Sequence, residues 1–330
     1  MRALLVCCAA LLLAPSALAD GGPDPGVLQG GAGIANTGGT VRFVTVQAGR
    51  LTTLEAIATR GGQVVGSRVM RGGWGIPLVD YGGTTGGLAA DGRTLVLAQS
   101  GYQGVCTKNG CTPFRRRTSF QIVDTKTLHR RTTVTLPGDY AFDALSPSGK
   151  RLYLIQHTST ANTNRYVVRA YDIRQMRLLP GRIADRSQRG WVMQGVPMAR
   201  ATGDGGRFVY TLYANPGGYP FVHALDSVAG TARCIGIPWT REQTTGDLNL
   251  LTLSKDGRSL TIGAVRPTGP EPYFRLDTVS YRVTAIAAPH GSGFPWWTLT
   301  LLVLLAPVLL VVVRRRAGHV WSGVRLPMPE

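Results

Sequence analysis

The sequence predicts an all-β chain assembled from a repeated unit of four antiparallel strands, and three observations carry that prediction. The first is a recurring strand–turn–strand corner. Leu88-Ala-Ala-Asp-Gly-Arg-Thr-Leu-Val-Leu-Ala98 returns as Leu145-Ser-Pro-Ser-Gly-Lys-Arg-Leu-Tyr-Leu-Ile155 and as Leu253-Ser-Lys-Asp-Gly-Arg-Ser-Leu-Thr-Ile-Gly263. Ala201–Thr211 is a copy with one extra residue, and Ala35–Thr45 is a copy without the acid. The Asp-Gly or Ser-Gly pair supplies the backbone freedom of a tight reversal, and β-favouring residues follow it. The second observation is spacing. Turn glycines 39, 92, 149, 206 and 257 recur about every 55 residues, a period that marks an array of supersecondary units. The third is a second corner in each period, centred on an acid: Phe120-Gln-Ile-Val-Asp124, Val167-Val-Arg-Ala-Tyr-Asp172, Phe221-Val-His-Ala-Leu-Asp226 and Tyr273-Phe-Arg-Leu-Asp277, with Leu54–Gly61 a weaker first copy. Four strands per period, a to d, make one blade of a β-propeller. Five units are placed at 33–72, 84–137, 141–184, 197–239 and 247–288. Trp74–Gly83 and Ile183–Val196 are unassigned and leave room for a sixth, degenerate blade.

The corner motifs resemble those of the bacterial TolB-like and YVTN-type β-propellers, where a Ser-Pro-Asp-Gly-Lys-type turn joins strands a and b and an Asp-centred turn joins c and d. The resemblance covers roughly residues 33 to 288. It implies a fold and leaves function open, because such propellers include binding scaffolds and enzymes alike.

Composition agrees with a turn-rich β domain: 43 glycines and 20 prolines in 330 residues, with 16% charged. The formal charge of +18 favours anionic partners in general. Apart from Lys108, Lys126, Lys150 and Lys255, every basic residue is arginine, a bias that a GC-rich genome also produces, so the charge is discounted as a signal. No nucleic-acid partner is expected.

Residues 1–19 have the layout of a secretory signal: Arg2, an apolar run, and Ala17-Leu18-Ala19 before Asp20. Cys7 and Cys8 fall within that run. Residues 20–32 read as a flexible Gly/Pro leader in which Val27-Leu28 could join a sheet. The propeller ectodomain is assigned to 33–289 and a linker to 290–293. Residues 294–313 carry no charge and match the roughly 30 Å hydrocarbon core as one helix. Trp296 and Trp297 sit at the interface position, and Arg314-Arg315-Arg316 opens a cytoplasmic tail, 314–330. The expected localisation is the cell membrane, single-pass, with the propeller outside and the lipid met through 294–313.

Because strands alternate in direction, the long b–c and d–a connections share one face, where propellers keep their function. A short linker of at most about 18 Å brings that face near the outer leaflet. Within the longest b–c loop, Cys106 and Cys111 flank a Lys-Asn-Gly turn and are expected to form a disulfide in an exported protein. Arg115-Arg116-Arg117 follows, either a solvated charge run or an anion contact for lipid headgroups or a glycan. Trp74, Tyr140, Trp191 and Trp239 recur between strand d and the next strand a, either as packing between blades or as stacking surfaces for a sugar or peptide. Cys234 reads as a buried thiol. No catalytic residue, metal site or cofactor is assigned: the histidines lack ligand spacing, and neither a Gly-x-Ser-x-Gly elbow nor a phosphate loop occurs. Asp143 and Asp247 are carboxylates that could face the central channel. The expected function is a non-catalytic, membrane-anchored binding or assembly module with an envelope protein partner. The alternatives are a lactonase- or hydrolase-type enzyme with a central-channel site, or a receptor for a wall glycan or other polyanion.

Overall fold

The computed structural model describes residues 24–100, 105–107, 110–112, 114–160, 165–187, 193–215, 218–239 and 248–286. These hold five antiparallel sheets of four or five strands in sequence order, and one separate two-stranded sheet. Blade 1 is Ile34–Ala35, Val41–Ala48, Leu51–Ala58 and Val64–Arg71; blade 2 is Trp74–Pro77, Thr94–Gln99, Arg117–Asp124 and Arg130–Pro137. Blade 3 is Tyr140–Leu145, Arg151–His157, Arg165–Asp172 and Arg177–Leu178; blade 4 is Val196–Gly203, Phe208–Ala214, Phe221–Asp226 and Thr231–Gly236. Blade 5 is Leu250–Leu253, Ser259–Arg266, Gly269–Asp277 and Val283–Ala285.

The two corners predicted from sequence latch onto each other. At the a–b corner the turn glycine N–H donates to the carbonyl three residues back, as from Gly92 to Ala89 and from Gly257 to Ser254. At the c–d corner the acid's Oδ1 accepts backbone N–H groups two and three residues on, as Asp124 does from Lys126 and Thr127. Asp226 and Asp277 repeat this with Val228, Ala229, Val279 and Ser280. The hydroxyl that follows the acid then reaches across to the a–b corner: Thr125, Ser227 and Thr278 donate to the carbonyls of Gly92, Gly206 and Gly257. The Asp-Thr/Ser pair is therefore the clasp of a blade. The fifth residue of the corner is left-handed, with φ near +56° at Leu128, +55° at Met176 and +57° at Tyr281, where blade 4 uses Gly230. At Gly149 a Cβ would lie 2.5 Å from Thr94 Oγ1 of the neighbouring blade, so that position also depends on close approach.

Buried side chains form four clusters, one at each junction between consecutive blades. Strand b of blade 3 shows the logic. Leu152 and Leu154 face blade 2, while Tyr153 and Ile155 face blade 4. A strand packed on both faces loses the alternation of a half-exposed one, hence the continuous apolar runs of the middle blades. The end blades differ. In blade 1, Phe43, Leu54 and Ala56 face blade 2, whereas Val46, Thr53 and Val69, linked by strand register, lie on the opposite face. In blade 5, Leu260, Ile262 and Leu276 face blade 4, and Thr252, Thr261, Arg275 and Thr284 share the other face. Among the described residues no core cluster joins blade 5 to blade 1.

Two sequence assignments are corrected here. The described parts of the stretches left for a sixth blade belong to blades 2 and 3, apart from Val196, which opens strand a of blade 4. Trp74–Pro77 is the inner strand of blade 2; Met193–Gln194 pairs with strand c of blade 3, and Ile183 bridges to Val168. Residues 24–32 are built into the fold instead of hanging as a leader. Val27 and Leu28 pair with Pro77 and Ile76, adding a short strand inside blade 2. Gly75 makes room for it, since a Cβ there would lie 2.6 Å from the Val27 side chain. The signal (1–19), the linker, the 294–313 segment and the tail lie outside the described residues. No described helix is long and apolar enough to cross a membrane.

Candidate functional site

The inner strands of blades 1 to 4 enclose a cavity of about 330 Å³, lined by Thr37, Gly87, Phe142, Asp143, Arg200 and Gly205 among others. The register slips between Phe142 and Ala144, so Asp143 is a bulge residue whose side chain is re-aimed. Arg200 of blade 4 meets it with two nitrogens. Nη2 donates to Asp143 Oδ1 at 2.6 Å and Nη1 to the Asp143 carbonyl oxygen. Both side chains are buried, and Asp143 Oδ2 and Arg200 Nε have no hydrogen-bond partner among the described residues. The predicted channel carboxylate is thus one half of a two-pronged ion pair clamping blade 3 to blade 4. Asp247 lies outside the described residues.

Residues 78–87 leave strand a of blade 2 and return to it through the Leu88–Leu95 bridge. This excursion crosses to blade 4, where Tyr81 N–H donates to the Pro197 carbonyl at 2.9 Å. Asp80, fully buried, ties its base by accepting the Thr84 N–H at 2.9 Å. Sequence reading missed both Asp80 and Arg200.

The predicted Arg115–Arg117 run divides. Arg115 is buried, bonded through Nη2 to the Asp24 carboxylate and through Nη1 to the Tyr140 carbonyl at 3.3 Å. Its Nε lies 3.8 Å from Asp139 Oδ1, and Asp139 Oδ2 meets His157 Nδ1 at 3.0 Å. Arg115 therefore anchors the N-terminal segment to blades 2 and 3, which corrects its reading as an anion contact. Arg116 and Arg117 are exposed.

The recurring aromatics are interior. Trp74, Tyr140 and Trp239 are buried in the clusters between blades 1 and 2, 2 and 3, and 4 and 5. Trp239 packs on Tyr273 and Phe274, with ring centroids 5.3 and 6.0 Å away. Trp74 and Tyr140 each open an inner strand and donate their N–H to a threonine, Thr52 or Thr118, whose hydroxyl donates to the glycine two residues earlier. The repeat that placed them has a structural cause, and these rings are not open stacking surfaces. Trp191 lies outside the described residues.

Cys234 is buried, with Sγ 3.5 Å from His223 Nδ1 and its N–H donated to Asp185 Oδ2 at 3.0 Å. Burial pushes the thiol up to about 12 and holds His223 below the usual imidazole range. The pair is neutral, a poor state for a nucleophile. Among the described residues no three His, Cys, Asp or Glu side chains gather as a metal site.

The short strands Val105–Thr107 and Gly110–Thr112 form a hairpin whose register sets Cys106 opposite Cys111. Opposed residues of an antiparallel pair have Cα atoms about 4.5–5.5 Å apart, within the span of a disulfide. Exported protein is expected to expose the Cys234 thiol only on unfolding, and the Cys106 and Cys111 thiols only after reduction. Titration with a chromogenic disulfide reagent checks this; three thiols released by unfolding alone would refute the bridge.

No protein-family model matches the chain, and no curated protein matches it. Among solved structures it is similar to oligogalacturonate lyase in complex with manganese, at 11% identity and TM-score 0.47, over 79% of this chain and 65% of that one. It is similar to the β-propeller domain of Myceliophteria thermophila Cps50, at 12% identity and TM-score 0.40, over 72% and 64%. The putative TolB of Agrobacterium tumefaciens aligns at 11% identity and TM-score 0.42, over 77% and 79%. TolB-like propellers are thus among its structural neighbours. The chain spans about two thirds of the length of the lyase and of the Cps50 domain. Its structural neighbours include proteins that are enzymes by their titles as well as TolB proteins, so these likenesses assign no activity; the architecture rests on the strand order and registers above.

Proposed function

We propose that the chain is a membrane-anchored, extracytoplasmic β-propeller that acts as a non-catalytic binding or assembly module for an envelope protein. The observation that carries this is the outward face of blade 1. There Val46, Leu51 and Val69 stand 47%, 46% and 59% exposed, on the face that the middle blades bury against a neighbour. A clustered apolar face of this kind marks an interaction surface. The channel supports the same reading, since its acid is engaged by Arg200 and its width is crossed by residues 78–87. Anchorage comes from 294–313 and export from 1–19, both read from sequence.

A photo-crosslinking residue placed at Val69 in intact cells is expected to give a discrete adduct. The same residue at Val228, on the c–d corner of blade 4, should give none. Adducts absent at Val69, or equal at both sites, would contradict the proposal. Hydrolysis of lactone or ester substrates by purified protein, abolished by Arg200→Lys without loss of fold, would favour the enzyme alternative.

A further inference from the structure

A second cavity, of about 370 Å³, opens at the outer rim between blades 1 and 2. It is lined by Arg68, Val69, Met70 and Arg71 from strand d of blade 1 and by Leu128, His129 and Arg130 from the c–d corner of blade 2. Strand register gives its orientation. Arg68 pairs with Leu54, whose side chain packs toward blade 2; Arg130 pairs with Val123, which packs in the same junction from the other side. The two arginines therefore stand on the facing surfaces of adjacent blades, above the buried Leu128. That leucine is held in the left-handed region, φ +56°, by the corner that also presents His129 and Arg130.

No carboxylate lines this groove. Several other arginines meet an acid: Arg131 has Asp124, Arg200 has Asp143, Arg207 has Asp226, and Arg233 has Asp185. Among the described residues Arg68, Arg71 and Arg130 form no such pair. Like charges gathered in a concave site raise the local potential for anions, and a guanidinium fork matches the oxygens of a phosphate group. Met70 and Leu128 add an apolar floor on which the carbon backbone of such a ligand can lie.

We propose that this groove is a binding site for a phosphodiester-bearing ligand, held by Arg68, Arg71 and Arg130. The groove shares Val69 and the Arg71 side of strand d with the apolar face of blade 1, but its ligand chemistry is carried by the arginines, and the variants that test it leave the apolar side chains of that face unchanged. Phosphodiesters in an envelope come from lipid headgroups or from soluble polyol-phosphate polymers, and two probes separate these sources. Full-length protein in neutral detergent is titrated with a poly(glycerol phosphate) oligomer and, separately, with bicelles containing phosphatidylglycerol. Binding of at least one probe is expected, weakening with salt. The triple variant Arg68→Gln/Arg71→Gln/Arg130→Gln should lose on the order of tenfold to a hundredfold in affinity, equivalent to about 1.4–2.8 kcal/mol. The charge-conserving triple Lys variant should retain more than the Gln variant, and circular dichroism should report the same fold for both. Arg116→Gln/Arg117→Gln, on the loop face, should bind as the parent does. The proposal is overturned if neither probe binds, or if the triple Gln variant binds as tightly as the parent. It is equally overturned if the Arg116/Arg117 variant alone loses the binding.

Discussion

Replacing Arg200 by alanine is expected to destabilise the propeller by about 3–5 kcal/mol, because it strands the Asp143 carboxylate in the interior. The pair is buried on both sides and joins two blades through a side-chain and a main-chain acceptor. Asp143→Ala should cost a similar amount by stranding the guanidinium. The paired change Asp143→Leu with Arg200→Met should cost clearly less than the two single changes together, since no charge is then left buried. Denaturant unfolding of the four proteins measures this. Single variants that unfold like the parent would mean that the pair is not a clamp and would reopen the channel as a site of chemistry.

The second large effect separates the two kinds of blade face. Leu154→Ala, within the junction of blades 2 and 3, should cost about 2–5 kcal/mol through lost burial and the cavity left behind. Val46→Ala, on the outward face of blade 1, should change stability by less than about 0.5 kcal/mol in the isolated protein. A Val46 effect as large as that of Leu154 would mean that blade 1 is packed on both faces and that the ring closes.

The blades were legible in the sequence because each is pinned by two corners with strict local chemistry. A glycine at one corner and an acid followed by a hydroxyl at the other leave their mark whatever lies between. Where tertiary context replaced a local rule, the reading failed. Trp74-Gly-Ile-Pro77 is too short to show a strand period, and the excursion of 78–87 separates it from the rest of its inner strand. Val27-Leu28 was legible as a pair that could join a sheet, but it sits among glycines, and only its pairing with Ile76 and Pro77 reveals which sheet. The charge run at 115–117 gave no hint that its first member is internal, because the decisive partner, Asp24, is 91 positions away. Asp143 was visible as a carboxylate near the channel, but its partner Arg200 lies 57 residues on, in another blade. The left-handed corners at Met176 and Tyr281 carry no glycine and so no signal. The aromatic repeat was real and ambiguous; the threonines at 52 and 118, each bonding a Gly-x-aromatic segment, are the feature that would have marked it as structural.

The central claim, that the outward face of blade 1 is bare in the isolated chain and covered in the envelope, is open to one direct measurement. Val69→Cys and, as a reference, Val228→Cys are introduced singly and labelled with a maleimide that does not cross the cytoplasmic membrane. The account predicts that purified protein labels rapidly at both positions, while in intact cells Val69→Cys is protected and Val228→Cys is not. Equal labelling of the two positions in cells would contradict it.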